Sequence, residues 1–250
     1  MTLERGLGEQ AAIVTGVSRG LGAALAADLL ERGFRVVGIG RTGNSALRRD
    51  RYEFVQFDLS DTSRIDATLA PPLEALRQRQ LASVCLVNNA GTVDAVGTLG
   101  RLAATEIASA LAVNVAAPVA LTNLFCRVFA DAGIPRRVIN VSSGAAQKAL
   151  EGEAVYCVAK AGLEMLTQAL AAEQDGRNFR AITVRPGVMD TDMQLFARSQ
   201  PPDVLPSVEL FKEFHRQGSL VAPALVASKI ASRLVLGEVE HGGTYSYQDL

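Results

Sequence analysis

Tyr156 and Lys160 lie four residues apart in a segment that the sequence predicts to be helical, Tyr-Cys-Val-Ala-Lys. Side chains at this spacing leave one face of a helix about one turn apart. An ammonium group beside a phenol favours the phenolate, so we expect Lys160 to lower the pKa of Tyr156 from the usual ~10. A tyrosine in that environment is a useful general acid, and the pair therefore predicts proton transfer at a bound substrate.

A serine hydroxyl is expected beside the same reacting group. Ser143 follows the apolar segment 137–141, which predicts a buried strand, and precedes Tyr156 by thirteen residues. Ser142 competes for this role. Because side chains alternate between the two faces of a strand, Ser142 should face away from the site if Ser143 faces toward it. We therefore expect Ser143 to hold the oxygen to which Tyr156 transfers a proton.

A glycine-rich loop after the first predicted strand indicates a nucleotide site. The apolar segment 10–15 and a predicted Ala/Leu-rich helix ending near residue 32 flank the loop Gly16-Val17-Ser18-Arg19-Gly20-Leu21-Gly22. Its glycines allow a tight turn and a close approach of the backbone to a pyrophosphate. The first turn of the helix would bind that group through free N–H groups and its positive dipole end. A glycine-containing turn without a ligand is the alternative interpretation.

The residues after the second predicted strand, 34–39, favour one form of the cofactor. Dinucleotide-binding folds that use NAD commonly place an acidic residue here to bond the ribose 2′-hydroxyl, whereas this chain has Gly40-Arg41. Arg41 and Arg19 would present two guanidinium groups to a 2′-phosphate, whose geometry they match. We therefore predict NADP(H). The alternative is that Arg41 is a solvated loop residue.

Further motifs, in order along the chain, resemble those of the short-chain dehydrogenase/reductase family. They are Thr15-Gly16-x-x-x-Gly20-x-Gly22, Asp58, Asn88-Asn89-Ala90-Gly91, Asn114, Ser143, Tyr156, Lys160 and Pro186-Gly187. The resemblance implies that Asp58 and Leu59 border the adenine and that Asn88 to Gly91 stabilise the central sheet and flank the cofactor. It also implies that Val188 and Thr191, after Pro186-Gly187, hold the nicotinamide carboxamide.

The same resemblance implies a catalytic set of Asn114, Ser143, Tyr156 and Lys160. NADPH would deliver hydride to a carbonyl carbon while Tyr156 gives a proton to the oxygen and Ser143 holds that oxygen. Lys160 would also bind the nicotinamide ribose hydroxyls, and Asn114 would anchor a water through which the proton is replaced.

Composition predicts one α/β domain over residues 1–250. A chain of 250 residues with 48% hydrophobic content can bury a large core. Strands alternate with helical segments, which predicts a single-domain Rossmann-type doubly wound parallel sheet. The net charge of −1 and the absence of a basic run argue against nucleic acid or an anionic membrane as partner. Three cysteines and two histidines without ligand spacing predict neither disulfides nor a metal site.

Assembly and location are predicted from apolar segments. The N-terminus lacks an apolar targeting core, and no segment is expected to approach the ~20 apolar residues of a spanning helix. A cytoplasmic protein is therefore predicted. The predicted helices at about 105–130 and 154–174 are more apolar than one face of a sheet requires. In the family these helices form the dimer face, which implies a homodimer, with a tetramer or complete coverage within one subunit as alternatives.

The substrate is predicted from the segment at about 187–221. It carries Met, Leu and Phe between prolines and predicts a mobile apolar lid, or else a short helix pair packed on the core. Within the superfamily, the C-terminal third is most similar to sepiapterin reductases and bacterial benzil-type diketone reductases. Sepiapterin reductases anchor the pterin with a carboxylate near the C-terminus, where this chain has Ser246. A small apolar carbonyl compound such as a vicinal diketone is therefore favoured.

Three alternatives remain open at this point. Pterin side-chain reduction would be restored if Glu151 or Asp249 supplied the missing carboxylate. Reduction of a 3-oxoacyl thioester is disfavoured because relatives with that activity usually continue past the last strand with a glycine-rich tail. A non-catalytic NADP(H)-sensing protein belongs to a different class, and it would not need the complete set of catalytic residues.

Overall fold

The computed structural model describes residues 8–250, in which strands alternate with helices. Residues 1–7, on which most of the targeting prediction depends, lie outside the described residues. Within 8–250 the strands are β1 Glu9–Thr15, β2 Arg35–Gly40, β3 Tyr52–Gln56, β4 Leu81–Asn88, β5 Arg136–Val141, β6 Phe179–Arg185 and β7 Thr244–Ser246. The α-helices are α1 Gly20–Glu31, α2 Ile65–Arg77, α3 Ala104–Leu111, α4 Ala117–Val128, α5 Ala154–Glu173, α6 Asp192–Ser199, α7 Val208–Arg216 and α8 Pro223–Lys229.

The strands form one parallel sheet in the order β3-β2-β1-β4-β5-β6-β7. The order reverses between β1 and β4, where Val14 is paired with Val87. In open sheets of this kind, a crevice forms outside the carboxyl ends of the strands at the reversal point, and ligands bind there. This arrangement confirms the prediction of a doubly wound parallel sheet.

Alternating strand residues supply two cores, one on each face of the sheet. Ala11 and Ile13 of β1 face α2, α4 and the end of α5, while Ala12 and Val14 face α1 and α8. Successive side chains of a strand point to opposite faces, so an apolar run buried on both faces requires helices on both sides. The continuous apolar composition of the central strands thus explains the three-layer architecture.

The predicted helix at 105–130 is a longer helical segment with a local change in winding. A π-helical turn, Ala112–Ala116, joins α3 to α4. The whole segment Ala104–Val128 has 25 residues, and its most apolar 18-residue stretch has a mean hydropathy of 1.6, so by length and composition it could cross a membrane, contrary to the sequence prediction. Leu121, Leu124 and Phe125 are fully buried in the core beneath the sheet, as in a core helix.

The segment after β6 contains a helix pair. Val188 O accepts a hydrogen bond from Val221 N at 2.9 Å, so the two ends of the 187–221 segment lie together. Between them, α6 and α7 pack through a small buried cluster that contains Ala197, Leu205 and Val208. The helix pair is therefore partly packed on itself, while Leu195 and Phe196 of α6 stay exposed.

Candidate active site

The carboxyl ends of β1 and β4 bring the glycine loop beside the segment after β4. Asn89 Nδ2 donates to Thr15 O at 2.8 Å, and Ala90 N donates to Thr15 Oγ1 at 2.9 Å. Asn88 binds the middle of the sheet instead, because its Nδ2 donates to Thr122 Oγ1 and Asn140 Oδ1. These contacts place the predicted Asn88–Gly91 segment next to the glycine loop at the reversal point of the sheet.

The glycine loop has the shape of a cradle in which side chains have no room. Gly16 and Gly20 have φ angles of 75° and 61°, the left-handed region that glycine favours. A Cβ atom on Gly22 would lie 2.3 Å from Gly16 O. The first turn of α1, which begins at Gly20, points its free N–H groups into this bend. The observed backbone therefore fits the pyrophosphate of a dinucleotide.

The two arginines predicted to bind a 2′-phosphate are placed differently. Arg19 is exposed, and its Nη1 lies 2.8 Å from Asp192 Oδ2 of α6, which connects the glycine loop with the helix pair. Arg41 is exposed after β2, and its positive charge helps to lower the pKa of Asp58, after the larger effect of hydrogen bonds from Ser60. Arg41 and Asp58 thus share one edge of the crevice, whereas Arg19 already has an acidic partner.

Residues after β6 close the other side of the crevice. Thr191 begins α6, and its Oγ1 accepts a hydrogen bond from Gln194 N at 3.4 Å. Its Cγ2 lies 3.7 Å from the position of a Cβ on Gly20. Thr191 therefore lies over the glycine loop, and its hydroxyl also caps a helix. Gly187 has a φ of 78° and turns the chain from β6 toward Val188.

The four predicted catalytic residues converge at the end of β5. Lys160 is buried on α5, and its Nζ donates to Val141 O at 2.8 Å and lies 5.5 Å from the centre of the Tyr156 ring. Ser143 forms a hydrogen bond with Tyr156 that lowers the pKa of the tyrosine. Across the site, a Cβ on Gly91 would lie 3.2 Å from Asn114 Oδ1 and 3.6 Å from Lys160 Nζ.

Asn114 lies in the π-helical turn and holds the chain after β4. Its Oδ1 accepts from Thr92 N at 2.8 Å, and its Nδ2 donates to Thr92 O at the same distance. The side chain is 1% exposed, so both bonds are shielded from water. A π turn adds one residue to a helix and is frequent at functional sites, and here it directs Asn114 toward the catalytic residues.

The predicted effect of Lys160 on Tyr156 is wrong in this structure. Burial raises the pKa of Tyr156, the charge of Glu153 raises it further, and only the hydrogen bond with Ser143 opposes this change. Burial also lowers the pKa of Lys160 to about 8. The ammonium group lies beside the ring and binds a backbone carbonyl, so desolvation of the phenol outweighs its attraction. Tyr156 is therefore protonated at neutral pH, which a proton donor to a carbonyl requires.

Ser142 is directed away from the reacting groups, as strand alternation predicts. Its Oγ donates to Glu164 Oε1 at 2.9 Å and lies 3.2 Å from Lys160 O, the alternative acceptor for the same hydrogen. Glu164 in turn accepts two bonds from Arg185 at the end of β6. The hydrogen bonds among Ser142, Glu164 and Arg185 connect α5 to β5 and β6, and they hold Lys160 in position relative to the sheet.

Comparison with known proteins identifies the family. A protein-family model described as short chain dehydrogenase matches residues 10–202. The chain belongs to the short-chain dehydrogenase family. This confirms the resemblance drawn from the motifs, and it makes the protein an oxidoreductase that uses NAD(P)(H).

Relatives of this dehydrogenase include two kinds of carbonyl reductase. It is 32% identical over 239 residues to benzil reductase ((S)-benzoin forming) of Bacillus subtilis (strain 168), with 95% of this chain and 98% of the relative covered. It is 31% identical over 262 residues to sepiapterin reductase of Bos taurus, with 98% and 96% covered. These relatives support reduction of a carbonyl group.

Solved structures of the family have the same fold. The KRED1-Pglu enzyme superposes with a TM-score of 0.81 at 26% identity, covering 94% of this chain and 99% of that one. A short-chain dehydrogenase/reductase from Burkholderia vietnamiensis superposes with a TM-score of 0.68 at 37% identity, covering 78% and 93%. The Rossmann-type fold is therefore shared with these enzymes.

One residue of the dehydrogenase site was missed by the sequence analysis. Glu153, three residues before Tyr156, is only 3% exposed. Burial raises its pKa to about 7. An acidic residue at the start of a predicted helix usually indicates a solvated helix end. The signal that could have found it is its position three residues before Tyr156, at the start of the predicted helix.

Proposed function

We propose that this dehydrogenase reduces a small carbonyl compound, with a vicinal diketone as the favoured substrate and NADPH as the reductant. The observation that carries the proposal is the convergence of Tyr156, Lys160, Ser143 and Asn114 beside a glycine cradle that fits a dinucleotide. A protein that only senses the nucleotide has no use for a proton donor beside a lysine, so this set favours catalysis over sensing.

Each catalytic residue has a task in this proposal. NADPH, when bound, supplies the hydride for the carbonyl carbon. Tyr156 donates its phenolic proton to the carbonyl oxygen, and Ser143 orients that oxygen by a second hydrogen bond. Lys160 stabilises the phenolate that forms, because its ammonium group lies 5.5 Å from the ring centre. Asn114 supports the chain after β4 and would position a water that returns the proton.

Preference for NADPH over NADH is part of the proposal. Arg41 lies at this edge of the crevice and forms no ion pair with any of residues 8–250. The residues directly after β2 include no acidic side chain that would repel a 2′-phosphate. Arg19 would contribute by exchanging Asp192 for the phosphate, since an exposed ion pair is worth only about 0–1 kcal/mol. We expect Arg41→Asp to shift the preference toward NADH. Equal kcat/KM values for the two cofactors with the unmutated protein would contradict this assignment.

The apolar substrate is supported by the composition of the helix pair and by the C-terminus. Met193, Leu195 and Phe196 expose apolar surface on α6. Asp249, one carboxylate considered for a pterin, accepts a hydrogen bond from Ser246 N at 2.6 Å and closes a turn instead. Glu151, the other, is exposed. The benzil reductase relative offers a precedent for a diketone, and the sepiapterin reductase relative makes a pterin the second candidate.

Assembly and location complete the proposal. Val119 of α4 and Val158 and Met165 of α5 are 44%, 65% and 66% exposed. Apolar surface on these two helices supports a homodimer, with a tetramer as the alternative. We also propose that the protein acts in the cytoplasm and has no nucleic acid or membrane partner.

Competition between benzil and sepiapterin tests the substrate. With NADPH and the unmutated protein, we expect a kcat/KM for benzil at least about tenfold above that for sepiapterin, because one unpaired polar group on a buried pterin costs about 1–3 kcal/mol. A 3-oxoacyl thioester serves as the third substrate. A higher value for sepiapterin or for the thioester would reject the diketone.

A further inference from the structure

Glu153 is a buried carboxyl group without a partner. The residue is 3% exposed, and among residues 8–250 its side chain takes part in no hydrogen bond or ion pair. It occupies the N-cap position of α5, yet it does not bond the free N–H groups of the helix. Burying an unpaired carboxyl group is costly, so the structure needs another reason to keep it there.

The backbone around Glu153 is held between the catalytic residues and the helix pair. Ser207 Oγ donates to Glu151 O at 2.8 Å, and Gly97 N donates to Gly152 O at 2.8 Å. A Cβ on Gly152 would lie 2.9 Å from Pro206 Cδ, so the loop between α6 and α7 packs tightly against Gly152. The backbone just before Glu153 is therefore held against the loop between α6 and α7, within the segment proposed to cover the substrate.

Glu153 is also close to the reacting hydroxyl. It precedes Tyr156 by three residues, at the N-cap of α5, so Glu153 and Tyr156 both lie at the first turn of the same helix. Its charge raises the pKa of Tyr156, second only to the effect of burial. Glu153 therefore lies in the chain between Tyr156 and the residues that contact the loop of the helix pair.

We propose that Glu153 is a specificity-determining residue whose protonated carboxyl group donates a hydrogen bond to the second carbonyl oxygen of a vicinal diketone. This inference rests on the proposed function, and it assigns the diketone preference to one side chain. The group is well suited to donate, because burial raises its pKa to about 7 and keeps the proton on at mildly acidic pH. No covalent step is involved, since Tyr156 remains the proton donor to the first carbonyl oxygen.

A matched pair of ketones separates this role from others. Benzil has two adjacent carbonyl groups, and deoxybenzoin has the same skeleton with a methylene in place of one of them. We would measure kcat/KM for both with NADPH at pH 6, for the unmutated protein and for Glu153→Ala, Glu153→Gln and Glu151→Ala. Glu151→Ala is the control because Glu151 is a neighbouring exposed carboxylate. NADPH fluorescence titration and thermal unfolding check that each variant folds.

The variants have distinct expected results. Glu153→Ala should lower the benzil to deoxybenzoin ratio by about tenfold or more, since it removes a buried donor from one substrate only. Glu153→Gln keeps a donor and should hold the ratio within about threefold, as should Glu151→Ala. An unchanged ratio in Glu153→Ala, or an equal loss on both ketones, would overturn the inference alone. If the unmutated protein reduces neither ketone, the proposed function is rejected with it.

Discussion

At the scale of single residues, burial decides the protonation of the site. It raises the pKa values of Tyr156 and Glu153 and lowers that of Lys160, in each case favouring the uncharged form. A neutral phenol suits reduction, because the proton must be present when the carbonyl oxygen gains charge. Sequence reasoning found Tyr156 and Lys160 from their spacing, but it could not give the sign of the shift, which depends on how deeply the ring is enclosed.

Replacement of Tyr156 by phenylalanine isolates its proton. We expect Tyr156→Phe to lower kcat by about 10²–10⁴-fold and to leave NADPH affinity nearly unchanged, because the ring still fills its place. Steady-state kinetics and fluorescence titration measure the two effects. Lys160→Ala is the comparison variant. It should lower both kcat and NADPH affinity, since Nζ also binds Val141 O. A Tyr156→Phe enzyme with more than about a tenth of the original rate would disprove the general-acid role.

Glu153 predicts a pH-dependent stability. Its pKa in the folded state is about 7, above the ordinary value of 4.5, so the folded protein binds the proton more tightly than the unfolded chain. The free energy of unfolding should therefore fall as pH rises from 4.5 to 7, and the loss should remain above pH 7.

Glu153→Gln removes that loss because glutamine does not ionise. We expect this variant to be more stable than the unmutated protein by about 3 kcal/mol at pH 8, and by little at pH 4.5. Chemical denaturation at both pH values measures the difference, with the exposed Glu151→Gln as control. A stabilisation that is the same at both pH values would show that Glu153 does not titrate in this way.

At the scale of elements, the sequence was sufficient for the sheet and insufficient for two local features. Apolar strands alternating with helices predicted the doubly wound sheet, because burial on both faces leaves a continuous apolar run. The π turn at Ala112–Ala116 left no signal, since one extra residue in an apolar helix hardly changes its periodicity. The Arg19–Asp192 pair joins residues 173 positions apart, which no local pattern reveals.

The π turn makes Asn114 a structural as well as a functional residue. Asn114→Ala removes two buried hydrogen bonds and leaves Thr92 N and O without partners. We expect the free energy of unfolding to fall by about 2–4 kcal/mol, at ~1–3 kcal/mol for each unpaired group. Denaturant unfolding measures this loss. Asn123→Ala, at an exposed position of α4, is the control and should stay within about 0.5 kcal/mol. Equal stability of the two variants would rule out the supporting role of Asn114.

At the scale of the whole molecule, the apolar surface of α4 and α5 predicts self-association. We expect light scattering at micromolar concentration to give a homodimer or tetramer. The double variant Val158→Glu, Met165→Glu should be smaller, because it places charges on surface that is 65% and 66% exposed in one chain. Leu99→Glu, at an exposed position outside both helices, should leave the mass unchanged. A stable monomer of the unmutated protein would contradict the assembly.

Transfer of an isotope label from NADPH tests whether the protein delivers hydride to a diketone. Benzil would be incubated with the protein and NADPH that carries deuterium at both C4 positions, and the product analysed by mass spectrometry. The account predicts benzoin with one deuterium on the carbinol carbon from the unmutated protein, and almost no product from Tyr156→Phe. Benzil recovered unchanged while the unmutated protein binds NADPH, or benzoin formed without deuterium on that carbon, would contradict it.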